Sequence, residues 1–170
     1  MLRADLEERS TVLDEARQLF GDYMRVLYGK VARLSVDVSS EGYMFRFTFD
    51  RAGSDGVEQM VVFCFDLMLA SLWGRQKRGF MFLAHDSSMF ADVDPTQIRS
   101  ALKLVADEAE RTGFQYLCCL NVGSIPENLA LEFNIQQKIR LRLTDNEGKG
   151  RLLGKALPPR EPKAKRTKAT

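Results

Sequence analysis

The side chains best placed to do chemistry follow two apolar runs of the sequence. Residues 80–84 are followed by His85 and Asp86, and residues 116–120 are followed by Asn121. In open parallel sheets, ligands bind at the carboxyl ends of the strands, where a carboxylate can reach a metal ion from an anchored backbone. Asp86 is therefore a candidate metal-binding residue. A strand that ends in aspartate is also common in proteins without a site there, and a lone histidine is more often structural than catalytic.

A second candidate site lies at the start of the most apolar segment, residues 57–74. Ser54 and Gly56 come just before this segment, which we expect to be a helix buried on all sides. A hydroxyl and free N–H groups at a helix N-terminus favour a bound phosphate. The same positions also fit an ordinary N-cap, with Glu58 completing a capping box from Asp55, and the residues alone leave both interpretations open.

The elements that must position these residues begin with a helix and a hairpin. Residues 2–28 carry apolar side chains at heptad spacing, which fits either the end of a coiled coil or an amphipathic helix on a globular core. Gly29 is expected to end this helix. Residues 32–38 and 43–49 alternate between apolar and polar side chains and predict a β-hairpin.

The region that carries Asp86 and Asn121 predicts a parallel βαβ unit. Residues 79–84 and 116–120 are continuous apolar strands, which is typical of strands buried on both faces. Between them, residues 95–112 predict a helix with Asp94 as its N-cap.

Length and charge suggest one domain with a basic tail. The 170 residues carry a net charge of +2, but six Lys/Arg and one acid lie after residue 154, so the body is mildly acidic. We expect a helical arm at 1–28, a main body at 29–157 and a basic disordered tail at 158–170. Within the main body, residues 138–144 and 151–153 resemble late edge strands. The tail could bind DNA phosphates electrostatically or serve only as a solubilising terminus.

The cysteines and the N-terminus predict a cytoplasmic protein. Cys64, Cys118 and Cys119 are odd in number and two are adjacent, which fits buried reduced thiols in a reducing compartment better than disulfides or a metal site. The first ten residues lack a signal-peptide pattern, and the longest apolar stretch contains Glu58 and Asp66 and is short for a membrane span.

The order of these elements and the detail of three stretches resemble a known group of proteins. The stretches are Gly56–Phe65 (GVEQMVVFCF), Phe82–Pro95 (FLAHDSSMFADVDP) and Gln115–Asn121 (QYLCCLN). They resemble an uncharacterised C-terminal domain of bacterial SMC/RecN-like coiled-coil ATPases from mobile-element or defence-associated multi-component systems, over about residues 10–155. The resemblance implies an α/β fold, the C-terminal lobe of an ABC/SMC-type P-loop NTPase head, with a coiled-coil-like helix, a β-hairpin and a βαβ core.

The resemblance also implies roles for individual residues. Ser54 and Gly56 match the signature motif that contacts the γ-phosphate of ATP held by the opposite subunit, and Asp86 matches the Walker B aspartate that orients Mg²⁺ through a water. Ser87 stands where a glutamate is usual, and Asn121 stands at the switch position where a histidine is usual. Because no GxxxxGK[ST] loop is present, ATP and Mg²⁺ would bind only in an assembled head, with an N-terminal Walker A lobe and a second head as partners.

Three functions follow as hypotheses. The first is an ATPase-head lobe that supports ATP-dependent head dimerisation, in DNA processing or defence, and is inactive alone. The second is a catalytically inactive interaction module that docks a partner through its N-terminal helix. The third is a metal nuclease that uses Asp86 with Asp92 and Asp94; it is disfavoured because this acidic pair does not follow an apolar strand of its own.

Overall fold

A computed structural model describes residues 2–50, 55–125, 135–144 and 150. The chain divides into two compact units, Met1–Phe133 and Asn134–Thr170. In the first unit the elements are α1 (Leu2–Glu8), α2 (Ser10–Tyr28), β1 (Arg33–Ser39), β2 (Gly42–Thr48), α3 (Asp55–Gln76), β3 (Phe82–His85), α4 (Pro95–Thr112) and β4 (Gln115–Cys118), with 3-10 turns at Ser87–Phe90 and Val122–Ser124. Over the described residues the architecture is mixed α/β with two sheets of two strands each, and the α/β class agrees with the sequence prediction.

The helix α2 packs on the core through one apolar face. Phe20 and Met24 are fully buried on that face, and α2 contacts α3, α4 and β1. Gly29 ends the helix in the left-handed conformation at φ 67°, and its N–H donates to the carbonyl of Arg25 at 2.8 Å. The sequence left two interpretations of this segment open, a coiled coil and an amphipathic helix on a globular core, and α2 is the latter. For α1, which an irregular residue at Arg9 separates from α2, the coiled coil stays a prediction.

The predicted hairpin is confirmed to within one residue at each end. The strands β1 and β2 pair antiparallel around a two-residue turn, with Leu34 opposite Phe47 and Val36 opposite Phe45. The odd-numbered side chains of β2 face the helices, where the ring of Phe47 lies 5.3 Å from that of Phe20. The hairpin therefore covers α2 with an aromatic face.

The helix α3 runs through the centre of the unit. One side carries fully buried residues, among them Met60, Phe63 and Leu67, whereas Val62 is 48% exposed and Trp73 is also exposed. The expectation that this helix is buried all round is therefore wrong on that side, because the described neighbours of α3 cover only part of its circumference. By length and composition α3 could cross a membrane, with a mean hydropathy of 1.4, but half of its most apolar window is buried within the chain, as in a core helix.

The unit β3–α4–β4 forms the predicted parallel pair, with Phe82 opposite Gln115 and His85 opposite Cys118. The expectation that both strand faces are buried is wrong. Leu117 is 58% exposed and Phe82 is 56% exposed, and both point to the same outer face. Among the described residues, the helices cover only the inner face, so the continuous apolar runs overstate how much of each strand is enclosed.

The predicted caps of α4 are confirmed. Asp94 accepts a hydrogen bond from the N–H of Thr96 at 2.7 Å, Pro95 stands in the first turn, and Gly113 ends the helix at φ 85°. In the second unit a short helix, α5, spans Ile135–Lys138. The predicted strand at 138–144 is wrong, because residues 139–144 have no regular structure. The predicted strand at 151–153 and the tail at 158–170 lie outside the described residues.

A buried polar network ties three helices together. The hydroxyl of Tyr23 donates to Ser71 at 3.0 Å, and Ser71 donates to the carboxylate of Glu108 at 3.2 Å. Arg111 pairs with the same carboxylate. Burial raises the pKa of the Tyr23 hydroxyl, so it stays a neutral donor. These bonds fix the relative positions of α2, α3 and α4, on which the βαβ unit rests.

Candidate functional site

Asp86 lies directly after the carboxyl end of β3, in an extended conformation that starts a 3-10 turn. Its Oδ1 accepts hydrogen bonds from the N–H of Ser88 at 2.9 Å and from the Ser88 hydroxyl at 2.5 Å. These bonds, the hydroxyl first, lower the pKa of the Asp86 carboxyl. Neither bond uses Oδ2. An exposed, ionised carboxylate with one oxygen outside these bonds can hold a cation directly or through a water.

Ser87 and Asn121 complete the set of residues at this edge of the sheet. Ser87 is half-buried in the turn after Asp86, and Asn121 is exposed three residues after the end of β4. Asn121 starts a second 3-10 turn without capping it through its side chain. Because the strands run parallel, Asp86 and Asn121 both follow the same edge of the sheet, where the N–H of Cys119 donates to the carbonyl of His85 at 3.0 Å.

Only part of the second candidate site, which comprises Ser54 and Gly56, lies among the described residues. Ser54 lies outside the described residues. Gly56 is buried in the first turn of α3, and a Cβ at this position would lie 2.2 Å from the carbonyl oxygen of Asp92 and 3.2 Å from the Cα of Val93. Glycine is therefore required for close packing of α3 against the loop that follows the site. The nucleotide contact implied for Gly56 stays a prediction.

The single histidine belongs to a partly buried hydrogen-bonded chain that the sequence did not reveal. Nε2 of His85 lies 3.3 Å from Oδ2 of Asp66, and Nδ1 lies 3.2 Å from the hydroxyl of Tyr116. The His85 ring also packs on Phe63, with centroids 5.4 Å apart. Burial raises the pKa of the Tyr116 hydroxyl. Since both ring nitrogens have partners, His85 anchors the end of β3 to α3 and β4, which fits the structural role expected for it.

The partners of His85 lie 19 and 31 residues away in sequence, so no local spacing links them. One signal was present: Asp66 is an acid in the middle of the otherwise apolar run of residues 60–70. A charge in such a place usually has a specific partner.

A shallow depression opens beside Asp86 at the edge of the sheet. It is lined by Ala84, His85, Asp86, Met89, Leu117 and Cys119. Cys119 is exposed there, so the expectation of three buried thiols is wrong for this residue; Cys64 is buried and Cys118 is half-buried. Burial raises the pKa of Cys118 to about 11. All three cysteines are free thiols.

Comparison with known proteins assigns the chain to a family without a known function. A family model described as "Uncharacterised protein conserved in bacteria (DUF2326)" matches residues 23–157. The chain belongs to this family. No curated protein matches it. The DUF2326 match spans Gly56, Asp86, Ser87 and Asn121, so the whole described part of the candidate site lies within the region that defines the family.

The chemistry available to this DUF2326 chain follows from what surrounds Asp86. Across residues 2–50, 55–125 and 135–144, no three His, Cys, Asp or Glu side chains come together as a metal site. Asp94, part of the nuclease hypothesis, has its carboxylate engaged in capping α4. Asp86 can thus supply one ligand to a cation, while further ligands must come from the bound substrate, from water or from another polypeptide.

Proposed function

We propose that the chain is the C-terminal lobe of an SMC-like, ABC-type ATPase head, which binds ATP and Mg²⁺ only after a Walker A-bearing lobe joins it. The incomplete parallel sheet carries this proposal. Within the described residues, β3 and β4 pair only with each other, and their carboxyl ends lead into Asp86 and Asn121. Parallel sheets are nearly always larger and covered on both faces. A second lobe that adds strands would complete such a sheet beside the candidate site.

The outer face of this sheet supports the same proposal. We call Phe80, Phe82 and Leu117 the outer face; they are 71%, 56% and 58% exposed. Covering them would contribute on the order of 8 kcal/mol of hydrophobic free energy, before the costs of association are subtracted. A contiguous exposed apolar patch of this kind is often functional. A lobe that docks here would contact the strands whose ends carry Asp86 and Asn121.

The residues of the site fit nucleotide binding better than turnover. When bound, Mg²⁺–ATP would supply the phosphate oxygens and the metal charge that the two lobes share. Asp86 would orient the ion through a water, and the Asn121 amide would donate to a nearby phosphate or water. Ser87, in the position of the usual glutamate, can hold a water but is a poor general base. Ser54 and Gly56 would serve the ATP of the second head.

The cellular setting belongs to the same proposal. We place the protein in the cytoplasm, where its free thiols stay reduced. ATP bound between two heads would close the dimer, and its loss would reopen it, in a DNA-processing or defence system.

A non-catalytic interaction module is the second candidate, and the outer face also favours it. Docking through α2 would have to use the side chains outside its core face, such as Val12 and Val26, because most of its apolar residues are buried. The outer face would then bind a partner that requires no nucleotide.

An ATP-binding experiment separates these functions. The purified chain is measured alone and with a candidate Walker A lobe, as wild type, Ser54→Arg, Asp86→Asn and the matched control Asp107→Asn. Asp86→Asn keeps an acceptor for the turn but removes the charge, whereas Asp107 is an exposed acid on α4. We expect binding only in the mixture, weakened by Ser54→Arg, weakened at least tenfold by Asp86→Asn, and unchanged by Asp107→Asn. A stable complex with no ATP binding would leave the interaction module and refute the nucleotide roles.

A further inference from the structure

The hairpin and α3 expose an aromatic surface that the proposed function does not use. We call Tyr43, Phe45, Phe47 and Val62 the aromatic edge. Tyr43 and Phe47 are each 39% exposed, Phe45 is 50% exposed, and Val62 on the adjoining helix is 48% exposed. The rings of Phe45 and Phe47 each lie 5.4 Å from that of Phe65, so the strand and the helix form one continuous apolar surface.

The backbone of β2 is free to pair along this surface. In a hairpin with a two-residue turn, Ser39 and Gly42 form the first hydrogen-bonded pair, and such pairs alternate along the strands. The N–H and C=O groups of Tyr43, Phe45 and Phe47 therefore point away from β1. Within the described part of the chain, β2 pairs with β1 alone. An edge strand with unpaired groups and exposed apolar side chains is a template for another strand.

We propose that a second copy of this chain occupies the aromatic edge, with the two β2 strands pairing antiparallel about a two-fold axis at Phe45. The chemistry of β2 matches itself in that register. Phe45 lies opposite Phe45 of the second copy, Tyr43 lies opposite Phe47, and Arg46 lies opposite Met44. Aromatic pairs across antiparallel strands are favourable. The result is a four-stranded sheet with α3 of each copy beside the axis.

Charge selects this register over its neighbour. Arg46 is the only charged residue of β2. Sliding one copy by two residues toward its C-terminus would place Arg46 opposite Arg46, and like charges directly opposite each other are destabilising. A slide in the other direction would place Phe47 opposite Glu41 and keep only two aromatic pairs, each of Phe45 with Tyr43, in place of three. The register centred on Phe45 avoids both penalties and uses all three outward-facing residues for hydrogen bonds.

The exposed area fits a weak dimer. Full burial of an aromatic side chain removes ~150–250 Å² from water, so the exposed parts of the aromatic edge amount to roughly 350 Å² of apolar surface per copy. A standard interface buries about 800 Å² per partner, somewhat more than half of it apolar. The aromatic edge thus provides most, but not all, of the apolar area of a standard interface. We expect dissociation in the micromolar range.

Sedimentation analysis of the whole chain without nucleotide tests this dimer. Wild type, Phe45→Lys and Phe80→Lys are compared from about 1 to 100 µM, a range that brackets a weak interface of this size. Phe80 is the matched control, because it is an exposed phenylalanine on the outer face. We expect wild type and Phe80→Lys to dimerise alike, and Phe45→Lys to stay monomeric, with a Tm lowered by only a few °C through the lost contact with Phe65.

Crosslinking gives a second readout that does not depend on the lysine variant folding. Opposed residues of a hydrogen-bonded antiparallel pair have Cα atoms about 5.5 Å apart, a distance that a disulfide spans. Phe45→Cys should therefore form a covalent dimer on mild oxidation, to a far greater extent than wild type or Phe80→Cys.

Three results would overturn the proposal: a wild-type monomer at every concentration, a dimer lost through Phe80→Lys instead, or crosslinking no greater in Phe45→Cys than in wild type. The first and third results leave the proposed function untouched, because it does not use the aromatic edge. The second would instead show that a second copy binds the outer face, where the proposed function places the Walker A-bearing lobe. ATP binding in the mixture of the two lobes is measured separately.

Discussion

Gly56→Ala is the substitution that best separates a packing role from a nucleotide role. The added Cβ would lie 2.2 Å from the carbonyl oxygen of Asp92 and 2.9 Å from its carbonyl carbon. Since non-bonded carbons prefer ~3.5–4.0 Å, the loop at Asp92 must retreat by more than about 1 Å. Forced shifts of this kind cost ~1–3 kcal/mol, and the gain in helix propensity offsets ~0.5–1 kcal/mol at most. Because the overlap is with backbone atoms and is deep, the cost lies toward the upper end of that range, and we expect a net loss of about 2 kcal/mol of unfolding free energy.

Urea and thermal unfolding followed by circular dichroism measure this loss. For a chain of this size, 2 kcal/mol corresponds to a fall of roughly 6 °C in Tm. Gly21→Ala is the matched control, because Gly21 is also helical but its Cβ would meet Ala32 only at 3.3 Å; its change should stay below about 1 kcal/mol. If Gly56→Ala is as stable as wild type, the packing argument is refuted. If such a stable variant also fails to bind ATP in the assembled head, the signature role gains support instead.

Three further outcomes test the described geometry. The pKa of Asp86 is lowered in the fold, so the stability that its ionised carboxylate contributes is present above about pH 4 and is lost as the pH falls through the folded pKa. The difference in unfolding free energy between wild type and Asp86→Asn, measured by urea unfolding at several pH values, should therefore shrink below pH 4. A difference that grows there would contradict the lowered pKa. At pH 8, a thiol reagent followed by mass spectrometry should label exposed Cys119 well before buried Cys64, and equal rates would argue against the burial. Tyr23→Phe removes the hydrogen bond to Ser71 and should lower the unfolding free energy by ~1 kcal/mol; an unchanged urea midpoint would mean that this bond contributes nothing.

The parts of the fold that depend on local chemistry were readable from the sequence. Asp94 caps α4 and Gly29 ends α2 because a carboxylate near free N–H groups and a glycine at positive φ are stable with little help from distant residues. The alternation of the hairpin strands was equally local. The parallel pairing of β3 and β4 followed from the alternation of strand and helix, since such a connection needs a crossover.

The parts that depend on partners distant in sequence were not readable. A continuous apolar run such as Phe80–Leu83 looks the same in sequence whether its own chain covers both faces of the strand or leaves one face exposed. Here the outer face is exposed. The pairing of Asp66 with His85 likewise joins two elements whose contact is decided by packing. The candidate site was found in sequence only as separate strand ends.

Under the proposed function, the character of Asp86 decides which half of an ATPase cycle the chain could serve. A general base works best when its pKa lies near the working pH, whereas the turn around Asp86 moves its pKa the other way. An exposed carboxylate held in its ionised form is suited to holding a cation, and Ser87, which follows it, cannot take the proton of an attacking water. His85 is already bonded on both ring nitrogens and cannot replace the missing base. If the assembled head hydrolyses ATP, the base must therefore come from the other lobe. Without such a base, nucleotide binding alone would hold the two heads together, and the rate of nucleotide release would set the lifetime of the closed dimer.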